Sequence, residues 1–499
     1  MDYRYRRRIG AFLSAAALIA AMSPATAFAK TSDTDVDDST LTITGLNKDD
    51  TVTAYQVFDA DIDSANNLTY TAATGLPEAY NTPAKLSALT TDEQKKKAAG
   101  DAYSQAFTKK ENPATPANSH TATGTANDSG EATLTLDSGY WVVVVTSTSG
   151  ETKVFQPTTI DASPVAGADG KYSAKTLASQ EVKNEPVDVK KGVGTGYKEK
   201  TDQYTVGQSV PFKVTTNVPN YPTNSKDATF TVNDRPTDGL KIQTNTIKVT
   251  VGTTTVWEGG KATADGANAF KDATTTQTET GYTFDFEKEF VLAHPGQAVE
   301  ITYDATLTSA AFSHSATDVT GNTATVTFNP NPYSDSTVTP DKTTQVQTYG
   351  YAFPKTDKDG KALEGATFTL YDASGANEIK DENGHSITST STIVNGKAYV
   401  YFEDLGAGTY TAKETNVPAG KQKAQDFQFT LNERNAKADN PATEVTENNY
   451  LVSNSNVVDP DQPLLPVTGD AGTAVLTIGG VALLGAACLV ASRSLKRSK

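Results

Sequence analysis

The 499-residue chain has a single cysteine, Cys488, and it lies inside an apolar run close to the C-terminus. The body of the protein therefore has no thiol for a disulfide, a thiolate metal site or a cysteine nucleophile. Histidine is nearly as scarce. His120, His294, His314 and His385 are the only four, and they lack the spacing of a zinc site. No glycine-rich phosphate loop or nucleophile elbow occurs, so turnover chemistry is not expected, nor is a cofactor. Positive charge is also short, with 43 Lys and Arg against 59 Asp and Glu and a formal net charge of −16. Residues 1–29 and 469–499 each carry four basic and one acidic side chain, net +3 apiece, which leaves −22 on the body between them. Such a body is a poor partner for nucleic acid or anionic lipid.

What the chain does have is tyrosine (21) and phenylalanine (18), within a composition that is 37% hydrophobic. Short alternating runs bounded by Gly, Asn, Asp and Pro recur throughout, as in Ala132-Thr-Leu-Thr-Leu136, Ala228-Thr-Phe-Thr-Val232, Val299-Glu-Ile-Thr-Tyr303 and Ala366-Thr-Phe-Thr-Leu370. This is the pattern of antiparallel β-sandwiches, so the fold class expected is all-β. Gly139-Tyr-Trp-Val-Val-Val-Val145 reads as a buried core strand. One helix is expected, where Thr91 and Gln94 form a capping box ahead of Ala98, Ala102, Tyr103 and Ala106, as a decoration on the first β domain. Asp357-Lys-Asp-Gly360 reads as a hairpin turn rather than a calcium loop, because the remaining ligand positions are missing.

Boundaries fall near Pro186 and within Thr343–Tyr349. The expected units are a signal peptide (1–29), an N-terminal β domain (30–183), a middle domain (184–345), a third domain (346–456), a short extended linker (457–464) and a terminal signal (465–499). The N-terminus places Arg4, Arg6, Arg7 and Arg8 before an apolar stretch and Ala27-Phe28-Ala29, a secretory pattern with cleavage expected after Ala29. At the other end an apolar run from Ala471 to Ala491 precedes Arg493, Lys496, Arg497 and Lys499, long enough to tether the chain in a bilayer.

Leu465-Pro466-Val467-Thr468-Gly469, followed by that apolar run and basic tail, resembles the sortase sorting signal of Gram-positive surface proteins. The resemblance implies cleavage between Thr468 and Gly469 by a pilus-type or housekeeping sortase, with the threonine carbonyl held as a thioester until an amine attacks. In major pilins that amine is a lysine after the first domain. Glu181-Val-Lys183-Asn184 occupies this place and keeps the Lys-Asn pair of the pilin motif without its Tyr-Pro, so Lys183 is the linkage lysine expected.

A wider resemblance runs through the body. Gly406-Ala-Gly-Thr-Tyr-Thr-Ala-Lys-Glu414-Thr-Asn-Val-Pro-Ala-Gly420 is similar to the E-box of pilin and collagen-adhesin stalk domains. It implies tandem immunoglobulin-like (CNA-type) domains stapled by lysine-to-asparagine isopeptide bonds. That chemistry requires a neutral lysine and a protonated acid in a dry core. In the third domain the resemblance assigns Lys355, the acid Glu414 and Asn454, with Asn456 as the alternative. In the middle domain it assigns Lys190, or Lys191, with the acid Asp234 and Asn322. The first domain shows no equally clear set. The function implied is a shaft subunit of a cell-wall-anchored pilus supporting adhesion, joined Thr468 to Lys183 of the next copy. The partners implied are sortase, identical subunits head to tail, tip or minor pilins, peptidoglycan and a host matrix or glycan ligand. The alternative is a monomeric wall-anchored adhesin or a minor pilin. A reactive linker lysine separates the two.

Overall fold

The computed structural model describes residues 36–107, 120–146, 153–311, 320–435 and 450–463. The expected secretory and sorting segments, 1–29 and 465–499, lie outside them. Strands dominate, and they gather into three successive β domains.

In the first domain a five-stranded sheet is built on the long strand Thr51–Ile62, which pairs with Leu68–Ala72, Thr121–Thr125 and Gly139–Thr146, the last continuing to Thr158–Asp161. A second sheet joins Ser39–Thr44 to Ala132–Leu136 and Gln180–Glu181. Gly139–Thr146 is apolar without alternation because both of its faces are covered. Trp141, Val143 and Val145 face the core between the sheets, while Val142 and Val144 face a second cluster under the helix. That helix spans Asp92–Ala102, and its N-terminus carries the reciprocal Thr91–Gln94 capping box.

The middle domain packs a seven-stranded sheet against a six-stranded one. The first contains Lys190–Val193, Ser209–Asn217 and Ala298–Leu307, and the second contains Phe230–Pro236, Thr320–Phe328 and Asp341–Val346. Their alternating burial follows from the two-residue period of a strand. In the third domain Tyr349–Asp357 lies at the centre of one sheet and Gly408–Asn416 within the other.

The third domain does not end at residue 456. Tyr450–Val452 and then Val457–Asp459 both pair in parallel with Tyr349–Asp357. Beyond them the Gln422 N–H donates to Pro460 O, the Gln462 N–H donates to Gly420 O, and Lys421 pairs with Asp461 at 2.6 Å. Residues 457–462 are therefore part of the domain rather than a linker, because the β-branched pair Val457-Val458 continues the sheet. Only Pro463 and Leu464 separate Gln462 from Leu465.

Two junctions connect the domains. At the first, Tyr333 of the middle domain is fully buried within the helix-side cluster of the first domain, beside Tyr103, and its hydroxyl donates to Asn224 Oδ1. Asn224 in turn donates to Asp101. Gly100 is required here, since a Cβ would sit 1.8 Å from the Tyr333 hydroxyl. At the second, a closed ring of hydrogen bonds runs from the Gly406 N–H to Thr205 Oγ1, from Thr205 to the Tyr410 hydroxyl, and from Tyr410 back to Gly406 O. Tyr349 also donates to Asp202 across this junction.

Candidate cross-linking sites

In the middle domain the strand Lys190–Val193 pairs antiparallel with Ser209–Asn217. Successive side chains point to opposite faces, so only one of its two lysines can enter the core. Lys190 is outside, with three-quarters of its side chain exposed and Asp188 as its ion partner at 3.8 Å. Lys191 is the inward residue, with a fully buried side chain. The expectation for Lys190 is thus corrected to its neighbour by one step of strand parity. Sequence already held the signal, since Val187, Val189 and Val193 share the parity of Lys191.

Asp234 and Asn322 also face inward, from Phe230–Pro236 and Thr320–Phe328. Lys191 Nζ is hydrogen-bonded to Asp234 Oδ2 and, at 2.9 Å, to the Tyr303 hydroxyl. Asn322 Nδ2 donates to the same hydroxyl at 2.9 Å. Burial drives the Lys191 amine down from its ordinary range, against the opposing pull of Asp234. The aromatic rings of Phe212 and Tyr303 flank its Nζ. Amine, acyl carbon and acid therefore share one dry pocket. Passing the lysine proton to the acid along their hydrogen bond leaves a neutral nucleophile and a neutral proton donor, the components of amide formation with loss of ammonia.

The third domain brings together a different set from the one expected. Lys355 and Glu414 are both fully buried, with Nζ 4.0 Å from Oε1. Neither Asn454 nor Asn456 joins them, because both are exposed. The chain leaves the sheet after Val452, turns where Ser453 Oγ donates to Ser455 O, and re-enters at Val457. Asp459 is the residue delivered to the core, 0% exposed and hydrogen-bonded to Lys355 Nζ. Glu414 Oε2 accepts the Ala424 N–H at 2.6 Å. Burial pushes its carboxyl up to about 7, with the charge of Asp459 adding to the effect. A carboxyl in place of the amide keeps the chemistry and changes the by-product to water.

Lys183 is exposed between Gln180–Glu181 and Asn184–Pro186, where its own carbonyl accepts the Gln156 N–H at 2.9 Å. Strand Asn184–Pro186 pairs with Lys153–Phe155, so Lys183 sits on the first domain's edge rather than in a free linker. Asp357-Lys-Asp-Gly360 forms a turn closed by the Gly360 N–H on Asp357 O. Among the described residues no group of three or more His, Cys, Asp or Glu side chains is placed to hold a metal, and no helix is long and apolar enough to cross a membrane.

Sequence reasoning missed Asp459, which sat in the presumed linker, and Tyr303, whose inward position is legible from the alternation of Val299, Ile301, Ala305 and Leu307.

Comparison with known proteins locates this architecture. Residues 350–445 match the family described as SpaA, prealbumin-like fold domain. No curated protein matches the sequence. Among solved structures, the T6 backbone pilin of Streptococcus pyogenes is similar at 15% identity and a TM-score of 0.63, over 85% of this chain and 99% of that one. The major pilin SpaD of Corynebacterium diphtheriae is similar at 17% identity and a TM-score of 0.53, over 87% of this chain and 99% of that one. The Corynebacterium diphtheriae major pilin SpaA gives 16% identity and a TM-score of 0.50, over 85% and 100%. The chain thus carries a SpaA-type prealbumin-like domain and has the fold of the backbone pilins of Gram-positive bacteria.

Proposed function

We propose that this protein is the shaft subunit of a covalently polymerised pilus, stapled internally by bonds from Lys191 to Asn322 and from Lys355 to Asp459. The observation that carries the reading is that two buried lysine–acid–acyl sets each tie a domain's first strand to one near its end, Thr320–Phe328 in the middle domain and Val457–Asp459 in the third, in a chain with the fold of major pilins. Each set supports amide formation by the domain itself. The middle one loses ammonia and the third one loses water, with Asp234 and Glu414 as the respective acids.

Sortase would cleave after Thr468 and pass its carbonyl to Lys183 of the next copy. That head-to-tail contact does not close on itself, so repetition yields a fibre on the cell surface. Tension entering at Lys183 and leaving at Thr468 would follow residues 183–191, cross to 322, run to 355, cross to 459 and exit. Most of the middle and third domains, and all of the first domain before Lys183, are then bypassed. The exposure of Lys183 and the closeness of Asp459 to Leu465 both support this route.

The test is an immunoblot of boiled, detergent-denatured wall extract from cells making the native protein or Lys183→Ala. The expected result is a high-mass ladder from the native protein and one band from the variant. A single band from both would replace the shaft reading with that of a monomeric anchored adhesin. A ladder from both would move the linkage to another lysine.

A further inference from the structure

The middle-domain pocket holds one polar group that the chemistry above leaves unused. Tyr303 is fixed by its ring, which stacks on Phe212 with centroids 5.4 Å apart and planes 9° from parallel, and which meets Tyr282 edge-on at 5.4 Å. Its hydroxyl oxygen accepts from Lys191 Nζ and from Asn322 Nδ2, each at 2.9 Å. The nucleophile and the leaving group of the proposed bond therefore share one hydroxyl.

Joining these residues requires two proton movements. Nζ must lose a proton as the Nζ–Cγ bond forms, and Nδ2 must gain one before the Cγ–Nδ2 bond breaks, because an amide anion is too basic to depart. Asp234 contacts Nζ through Oδ2, while its Oδ1 and Asn322 Oδ1 have no hydrogen-bond partner. A proton on Asp234 thus suits the carbonyl oxygen. The nitrogen of the leaving group is served by Tyr303.

We propose that Tyr303 is a catalytic residue of the cross-link, relaying a proton from Lys191 Nζ to Asn322 Nδ2. The inference rests on the Lys191–Asn322 reading. In the relay the hydroxyl oxygen takes a proton from Nζ and gives its own to Nδ2. The Nζ–Cγ bond forms, the Cγ–Nδ2 bond breaks, ammonia leaves and tyrosine is regenerated, with no change of oxidation state. Burial holds the hydroxyl well above the ordinary tyrosine range, so it keeps its proton until another arrives. The third domain offers the contrast. There the leaving group is a carboxyl oxygen, Glu414 lies beside it to supply the proton, and among the described residues no tyrosine hydroxyl is bonded to Lys355 or Asp459.

The experiment is pulse-labelled synthesis of the full chain, wild type or Tyr303→Phe, sampled over time for the Lys191–Asn322 cross-linked peptide by mass spectrometry. The Lys355–Asp459 peptide is followed in the same samples. Tyr303→Phe keeps the stacked ring and removes only the hydroxyl. General acid–base relays contribute about a hundredfold or more to rate. The expected result is a slowing of that order in the middle domain with an unchanged rate in the third. Equal middle-domain rates in wild type and Tyr303→Phe would overturn the relay and leave the cross-link standing. Absence of the peptide from the wild type would overturn the cross-link and the relay together. Should Tyr303→Phe fail a limited-proteolysis test of folding, ring-fluorinated tyrosine at position 303 changes hydroxyl acidity while retaining the hydroxyl. A linking rate that follows that acidity supports the relay, and an indifferent one overturns it.

Discussion

Replacing Asp459 tests the third domain most directly, because the geometry gives this one residue both the acyl group and the ion partner of Lys355. In Asp459→Ala no bond can form. Lys355 and Asp459 are 104 positions apart, and closing a loop of that length stabilises by about 4.7 kcal/mol in the chain-entropy account. At about 4–8 °C per kcal/mol for a domain of this size, the lost cross-link alone lowers the third-domain transition by about 20 °C or more. A further loss comes from leaving Lys355 buried with only Glu414 at 4.0 Å. Scanning calorimetry reads the transition, and intact mass reads the bond. Asp459→Asn should still link, but with loss of ammonia where the proposed native bond forms with loss of water. Asn454→Ala and Asn456→Ala should keep the mass deficit of the bond and leave the transition unchanged. The reasoning is refuted if Asp459→Ala retains the bond or if Asn454→Ala abolishes it.

Two other perturbations bear on the junctions. Asp404, at a backbone φ of +60°, is buried where the second and third domains meet, and its carbonyl accepts the Val206 N–H. Burial, and then the charges of Glu403 and Glu382, push its carboxyl up to about 8 from 3.8. The folded state therefore carries no penalty below pH 3.8, loses stability as pH rises toward 8, and is flat beyond, a span of about 6 kcal/mol. Asp404→Asn, which also tolerates the left-handed backbone, should remove that slope when melting is compared at pH 5 and pH 9. At the other junction, Tyr333→Ala should cost the first domain about 3–5 kcal/mol, the usual range for emptying a buried aromatic site. The third-domain calorimetric transition should not move, and an equal loss there would refute the assignment of Tyr333 to the first domain's core.

The fold was largely legible because alternation is a property of the strands themselves. Ala132–Leu136 and Val299–Tyr303 announced their buried faces by spacing alone, and the Thr91–Gln94 box announced its helix. The continuous run Val142–Val145 was legible as core, but only the structure shows the separate clusters that cover its two sides. Site residues were legible where parity fixed them and missed where pairing did. Lys191 could have been chosen over Lys190 from its valine neighbours. Asp459 could not, since its entry into the core depends on a four-residue departure from the sheet between Val452 and Val457, and no local pattern encodes how the chain rejoins.

Tyr333 has a consequence for the order in which the molecule matures. A chain is made from its N-terminus, and early domains ordinarily fold before later ones emerge. Here the helix-side cluster of the first domain lacks the buried ring of Tyr333 until residue 333 has been synthesised, well after Lys183 and after every strand of that domain. The first domain waits, half sealed, for a side chain lent by its successor. Tyr333 follows closely on Thr320–Phe328, the strand that carries Asn322. Completion of the fold around Lys183 is thereby tied to assembly of the middle domain, so under the proposed function a copy whose middle domain has not closed would offer the next copy an unfinished first domain.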